Sequence, residues 1–315
     1  MVIRLHVMID YSIIIPHKNT PNLLQFCLDS IPLREDVQVI VVDDNSSADI
    51  VNFERFPKWG GVHYEYYLTK EGKGAGYARN VGLRHAEGQW VLFVGADDFL
   101  LPNVSEILDR EKDTKADIIY FRPKAVMLED RVTESQRASS YNDLIDQFIQ
   151  SSDDSQLRCR WLSDTNKFYR LQLIKDNGIS FDEILYSNDN VFSVKAAVCA
   201  NKIAVRDYSF YCITESRNSL TSNFMKKPGE LSIRGDAFFR AQEILHNYGY
   251  PVDESRALSF LRKLFSSDRN AFILNFNRLL KMGYKKFWLL REVFKNNGKI
   301  AAFKRRVYAF FCTGI

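Results

Sequence analysis

Five cysteines are scattered through 315 residues, Cys27, Cys159, Cys199, Cys212 and Cys312, and no two form a C-x-x-C pair. That spacing argues against a zinc ribbon and against the even framework of a small secreted domain, so a reducing, cytoplasmic setting is expected. Nowhere do about 18 apolar residues run together, so no membrane-spanning helix is expected. The opening "MVIRLHVMID" has one basic residue and no apolar stretch of the length a secretory leader needs. There are no internal repeats and no low-complexity segment. The glycine-rich stretch "EGKGAGYARNVG" fails both familiar phosphate-loop patterns. Counting from Gly74 and Gly76, the third glycine of a G-x-G-x-x-G fingerprint is replaced by Arg79, and Lys73 is not followed by Ser or Thr.

What is present is a large apolar complement. At 46% hydrophobic content the chain can bury roughly three quarters of its unfolded surface. The runs "YSIIIP" (11–16), "VQVIVV" (37–42), "VHYEYY" (62–67), "WVLFV" (90–94) and "DIIYF" (117–121) read as strands. Between them, 21–31, 76–87 and 102–113 carry helical spacing, the last opened by Pro102. Strands alternating with helices predict an α/β fold whose mostly parallel sheet is covered on both faces. Ile203 to Ile213 reads as one further strand. Beyond Pro228 the pattern is helical, with breaks near Asn247, Gly283 and 296–298, and a domain boundary is expected near residue 225.

In parallel sheets ligands gather at the carboxyl ends of strands. There stand "PHKN" (16–19), "DDNSS" (43–47), "KEGKGAG" (70–76) and "GADD" (95–98). Asp43 and Asp44 suit either turn amides or a base and ribose. The loop through Lys73 into a helix carrying Arg79 and Asn80 suits a phosphate, or plain capping. Asp97 and Asp98 suit a hard divalent cation sharing its shell with phosphate oxygens, or a turn. Asp189, opening an apolar helical segment, suits the helix dipole or a general base.

Charge is uneven. From Arg278 to Arg306 ten basic residues face one acid, Glu292, giving +9 within a chain of net +4 and leaving −5 elsewhere. In 299–311, Ile300, Phe303, Val307, Phe310 and Phe311 recur at helical spacing among Lys304, Arg305 and Arg306, the pattern of a basic amphipathic helix. An anionic membrane surface is the expected partner of this tail. Nucleic acid is not, because no nucleic-acid module accompanies the charge.

Taken in order, "YSIIIPHKN", "VQVIVVDDNSSAD", "GKGAGYARNVGLRHAEGQWVLFVGADDFLLP", "NKFYRLQLIKDNGISFDE" and "SNDNVFSVKAA" resemble the inverting glycosyltransferases of family 2, over about residues 10–221. The resemblance is to enzymes that build bacterial capsule, O-antigen or lipopolysaccharide. It implies a Rossmann-like GT-A domain over 1–225, followed by a helical, basic region over 226–315.

The implied reaction moves a sugar from a nucleotide-sugar, a UDP-sugar by preference, to a hydroxyl of a glycan or lipid-linked acceptor with inversion. The implied place is the cytoplasmic face of the membrane. By this resemblance Pro16, His17, Asn19, Asp44, Asn45, Ser46, Lys73, Arg79, Asn80 and Asp97 bind the donor nucleotide. Asp97 and Asp98 hold Mn²⁺ or Mg²⁺, and Asp189 is the catalytic base. Trp161, Lys167, Asn188 and Arg217 are candidates for acceptor or phosphate contacts. Three positions depart from the family pattern: Gly95 stands at the first acid of D-x-D-D, Asn188 where Glu is frequent, and His17-Lys18 where an aromatic pair after Pro16 is commoner. Gly95 and Asn188 keep open a nucleotide-sugar-binding protein without catalysis. A nucleotidyltransferase is the other alternative.

Overall fold

The computed structural model describes residues 8–216 and 229–295. They fall into two compact units that divide between Val252 and Asp253. The boundary expected near 225, Arg217 and the tail 299–311 all lie outside the described residues.

The first unit is built on β1 (Tyr11–His17), α1 (Pro21–Asp29), β2 (Val37–Asp44), β3 (His63–Thr69), α2 (Ala75–His85) and β4 (Trp90–Phe93). There follow β5 (Phe99–Leu100), α3 (Val104–Glu111), β6 (Ile118–Phe121), β7 (Lys124–Met127), α4 (Ser139–Ser151) and α5 (Ser155–Arg160). It ends with β8 (Lys167–Arg170), α6 (Leu171–Asp176), α7 (Asp189–Cys199), β9 (Ile203–Arg206), β10 (Tyr211–Glu215) and α8 (Glu230–Asn247).

Seven strands form the main sheet in the order β3-β2-β1-β4-β8-β6-β9. All its pairs are parallel except those of β8, which runs against β4 and β6. The alternation read from the sequence sorts side chains between two cores. Ile13, Ile15, Val39 and Val41 pack on one face with Leu24 and Leu28 of α1 and Ile107 of α3. Ile14, Ile40 and Val42 pack on the other with Ala78 and Val81 of α2 and Phe192 of α7.

The strand order reverses between β1 and β4. β2 and β3 step away from β1 on one side, and α2 returns the chain to its other side. At such a switch point the loops leaving adjacent strands diverge to opposite faces and open a crevice at the carboxyl rim.

The single strand expected over 203–213 is two. β9 closes the main sheet, whereas β10 lies between β5 and β7 in a separate three-stranded sheet. Buried Glu111 pins the corner between them, accepting from Arg206 Nε (2.7 Å) and Nη2 (2.8 Å) and from the Tyr208 hydroxyl. The bend carries β10 across the turn after β4.

In the second unit, α9 (Glu254–Ser267), α10 (Arg269–Lys281) and α11 (Lys286–Phe294) pack around Leu261, Leu264, Phe272, Phe276 and Leu289. The break near Gly283 is present, at φ 90°. A second break falls at Asp268, whose carboxylate caps α10 by accepting from Ala271 N (3.0 Å).

Candidate active site

The rim is assembled from three clusters, and the first joins the ends of β1 and β2. His17 is buried, and its Nδ1 lies 2.7 Å from Asp43 Oδ2. Its Nε2 accepts from Thr20 N (3.1 Å), so the ring is neutral with the proton on Nδ1. Asp43 also accepts from Ser46 N (2.8 Å) and Ser46 Oγ (2.6 Å). Burial alone would raise this carboxyl, yet the bonds from His17 and Ser46 outweigh it and hold Asp43 below the ordinary carboxylate range.

Asn19 and Asn45 both adopt left-handed backbone, at φ 56° and 59°. Asn19 Oδ1 accepts from Ser47 N (2.8 Å), and its own N–H donates to Ser46 Oγ (2.8 Å). His17, Asn19 and Ser46 are therefore spent on shaping the loops. Asp44 is different. One oxygen, Oδ2, accepts from Gly74 N (3.0 Å) and Lys18 Nζ (3.2 Å), while the other, Oδ1, is buried without a partner. An unsatisfied buried acceptor costs about 1–3 kcal/mol, which a ligand N–H or O–H would recover.

The second cluster is the turn after β4. Gly95 N donates to the Tyr211 hydroxyl (3.0 Å), which in turn donates to Asp98 Oδ2 (2.5 Å). Asp98 Oδ1 accepts from Thr214 N (2.7 Å), so β10 occupies both oxygens of this buried acid. Burial and the neighbouring Asp97 charge push Asp98 up to about 7 against those bonds. Asp97 is held instead by its main-chain carbonyl, which accepts from Thr214 Oγ1 (2.9 Å), and its side chain is exposed.

A Cβ on Gly95 would stand 2.7 Å from Asp98 Oδ2 and 2.9 Å from Asp97 Oδ1. A side chain at this position would turn the exposed Asp97 aside and crowd the Asp98 oxygen that Tyr211 holds. No group of three or more His, Cys, Asp or Glu disposed to hold a metal occurs among the described residues. With Asp98 engaged by β10, the turn fits a cation that takes one carboxylate, from Asp97, and completes its shell with phosphate oxygens and water.

The third cluster surrounds Asp189 in the first turn of α7. Arg79 Nε lies 2.6 Å from Asp164 Oδ2, and Arg79 Nη1 donates to Asn188 Oδ1 (3.2 Å). Lys167 is buried, donating to Trp161 O (3.3 Å) and Ser163 O (2.8 Å). Burial and the Asp164 charge raise Asp189 to about 6, while Arg79 and Lys167 oppose the shift. The α2 entry can approach this cluster because residue 76 is glycine. A Cβ there would meet Asp182 O at 2.1 Å and Asn188 Cβ at 3.0 Å.

Several residues expected at the ligand are placed elsewhere. Trp161 is 1% exposed and packs on Tyr120 and Tyr141, so it offers no face to a sugar. Lys167 is equally enclosed. The Asn80 amide is used up by Phe181, donating to its O (3.0 Å) and accepting from its N (2.8 Å). Arg79 joins Asp164 rather than Lys73. Lys73 remains exposed, 4.7 Å from the Tyr77 ring centre. Pro16 and Asn45 are partly exposed or exposed at the rim.

Asp164, Tyr211 and Thr214 are not singled out by any motif of the sequence. An acid in the polar run 163–166 before an aromatic strand was a signal for Asp164. For the other two no local signal exists, since they act 113 and 116 residues from Asp98.

Comparison with known proteins bears on the family and the fold. The poly(ribitol-phosphate) beta-N-acetylglucosaminyltransferase TarS of Staphylococcus aureus is 27% identical over 240 residues, covering 70% of this chain and 38% of TarS. A poly(ribitol-phosphate) beta-glucosyltransferase of Bacillus spizizenii is 31% identical over 220 residues, covering 65% of this chain and 32% of that protein. The chain thus spans about a third of the length of these curated relatives. The crystal structure of S. aureus TarS 1–349 in complex with UDP-GlcNAc superposes with a TM-score of 0.61 at 22% identity, covering 87% of this chain and 81% of the other. The fold is the GT-A fold that TarS has. The model of glycosyl transferase family 2 matches residues 12–178, more than half of the chain, and the chain belongs to that family.

Proposed function

We propose that this protein transfers a sugar, with inversion, from a UDP-sugar to a hydroxyl of a polyol-phosphate glycan. The observation that carries the donor half is Asp44 Oδ1, a buried and unpartnered acceptor at the switch-point rim. The uracil N3–H is a donor of the kind that oxygen needs. Lys73 stands exposed nearby for the diphosphate. Asp97 would hold Mn²⁺ or Mg²⁺, which when bound neutralises charge on the leaving diphosphate. Asp98, fixed by Tyr211 and Thr214, sets the turn that aims Asp97.

Asp189 takes the proton from the attacking acceptor hydroxyl. One displacement from the opposite face of the sugar inverts its configuration. The names of the two relatives favour a poly(ribitol-phosphate)-like acceptor over capsule, O-antigen or lipopolysaccharide. A panel of UDP-sugars incubated with Mn²⁺, with and without chelator, is expected to release UDP for one donor. Asp189→Asn is expected to lower transfer about 10²- to 10⁴-fold while nucleotide still binds. Transfer should also fall as pH drops through about 6, because protonation removes the base. Release of pyrophosphate instead of UDP would point to a nucleotidyltransferase.

The second unit supports a place on an anionic membrane surface. Its residues 253–295 carry ten basic side chains against four acidic ones, and Phe287 is 82% exposed beside Lys285 and Lys286. Each basic residue near an anionic leaflet contributes about 1 kcal/mol. No helix among the described residues is long and apolar enough to cross a membrane. The full chain is expected to float with vesicles containing phosphatidylglycerol, and a chain ending at Asn297 to float less. Equal recovery of both would reject a role for the tail.

A further inference from the structure

β1 and β2 run in parallel register with His17 opposite Asp43, and the next step along both sets Lys18 beside Asp44. Two pairs of a basic and an acidic side chain therefore stand next to each other at the rim. The inner pair is enclosed, with the His17 and Asp43 side chains 0% and 2% exposed. The outer pair is divided. Lys18 Nζ lies 3.2 Å from Asp44 Oδ2, yet the Asp44 side chain is 4% exposed and that of Lys18 is 47% exposed. The loop before α2 comes close to both. A Cβ on Gly72, where φ is 61°, would stand 3.6 Å from Lys18 Nζ and 3.5 Å from Asn45 Nδ2, and Gly74 N donates to the same Asp44 oxygen (3.0 Å). A half-exposed ion pair adds little to stability, since solvent screens it and a long side chain must be held still. Stability therefore gives no strong reason for a lysine at this position.

The rim itself supplies a reason. An ammonium carries three N–H donors, and among the described residues only Asp44 takes one of them. The other two stand next to a carboxylate whose second oxygen, Oδ1, is buried without a partner. We propose that Lys18 reads the donor's base: Asp44 Oδ1 accepts the uracil N3–H, and the Lys18 ammonium donates to the ring carbonyl that flanks this N–H. The inference rests on the reading of Asp44 as the acceptor for the base. The imide edge of uracil sets an N–H between two carbonyls, so an acceptor and a donor held 3.2 Å apart meet neighbouring groups of opposite kind on it. Both contacts are charge-assisted, the stronger class of hydrogen bond. The departure at His17-Lys18 thereby acquires a division of work. His17 closes the loops from inside through Asp43, and Lys18 brings a charge to the edge of the base.

The test compares Lys18→Met, which keeps an unbranched stem without the ammonium, with the parent, both as the full chain. Each is titrated calorimetrically with UDP, and uridine is measured by competition against UDP. The expected result is a loss of about tenfold in affinity, equal for uridine and UDP, at an unchanged midpoint of thermal unfolding. Lys18→Arg, which keeps charge and donors, is expected to restore part of it. A loss for UDP with uridine unaffected would place the ammonium on the diphosphate and overturn the proposal. Affinity unchanged or tighter for both would mean that Lys18 only covers Asp44, and would overturn it as well. N3-methyluridine, which lacks the N–H, separates the inference from the reading beneath it. It should bind the parent weakly and be indifferent to Lys18→Met. If it binds the parent as well as uridine does, the reading of Asp44 fails, and the matched losses of uridine and UDP still decide whether Lys18 touches the base.

Discussion

Asp43–Asp44 and Asp97–Asp98 are the same dipeptide at the carboxyl ends of two strands of one sheet, and the fold divides each pair between structure and chemistry in opposite order. In the first pair the leading acid is consumed, by His17 and Ser46, and the trailing one keeps an unspent oxygen. In the second the trailing acid is consumed, by Tyr211 and Thr214, and the leading one stays in the open. The neighbours decide. In β2 alternation sends Asp43 and Asp44 to opposite sides, and in the turn after β4 the approach of β10 selects Asp98 as the anchor. The environments also differ in strength. Asp43 receives enough hydrogen bonds to overcome burial, whereas Asp98 sits beside the uncompensated charge of Asp97 and remains hard to ionise.

The largest expected effects come from exchanging each of the four acids for Asn. Asp97→Asn should lower sugar transfer by at least about a hundredfold with little change in stability, since a cation contributes several kcal/mol at a developing charge. Asp44→Asn should weaken UDP binding by about tenfold or more, the worth of a charge-assisted hydrogen bond. Asp43→Asn and Asp98→Asn should instead lower unfolding free energy by about 1–3 kcal/mol each, because bonded partners are left unsatisfied. Denaturant unfolding and UDP calorimetry on the four variants check the division. If Asp98→Asn bound metal and donor as poorly as Asp97→Asn at full stability, the allocation at β4 would be wrong.

The amino-acid sequence makes the scaffold legible because it is repetitive. Short β-branched runs, helical spacing and polar strand ends marked β1 to β4, α1 to α3 and the ligand rim. It does not make the allocation of side chains legible. Asp43 and Asp44 differ only in what the fold sets opposite them, and Tyr211 reaches Asp98 from β10, 113 residues further on. Asn80 had the pattern of a ligand residue and serves as a clamp on Phe181. Arg79 looked like a phosphate contact and belongs to the Asp164 pair. The bend at Tyr208, which separates β9 from β10, depends on Glu111 in a distant helix. Gly95 read as a missing acid. In the fold the glycine also leaves room for the buried Asp98 oxygen that Tyr211 holds.

The smallest effect, and the finest test of the comparison, is the pH dependence of stability. Asp43 has a folded pKa below its unfolded one, so its contribution is present above about pH 4 and is lost as pH falls through the folded value. Asp98 is raised to about 7, so the unfolded chain sheds this proton near pH 4 while the fold keeps it. Its contribution is therefore largest in acid and declines between about pH 4 and 7. Each slope is at most about 1.4 kcal/mol per pH unit for one proton. Urea unfolding from pH 3 to 8 in chelator, referenced to Asp43→Asn and Asp98→Asn, separates the two acids. The parent should lose ground to Asp43→Asn only at the acid end, and to Asp98→Asn only on rising toward neutrality. Slopes of one sign for both would mean that the two dipeptides share one environment, and that a single rule, rather than two opposite ones, assigns their carboxylates.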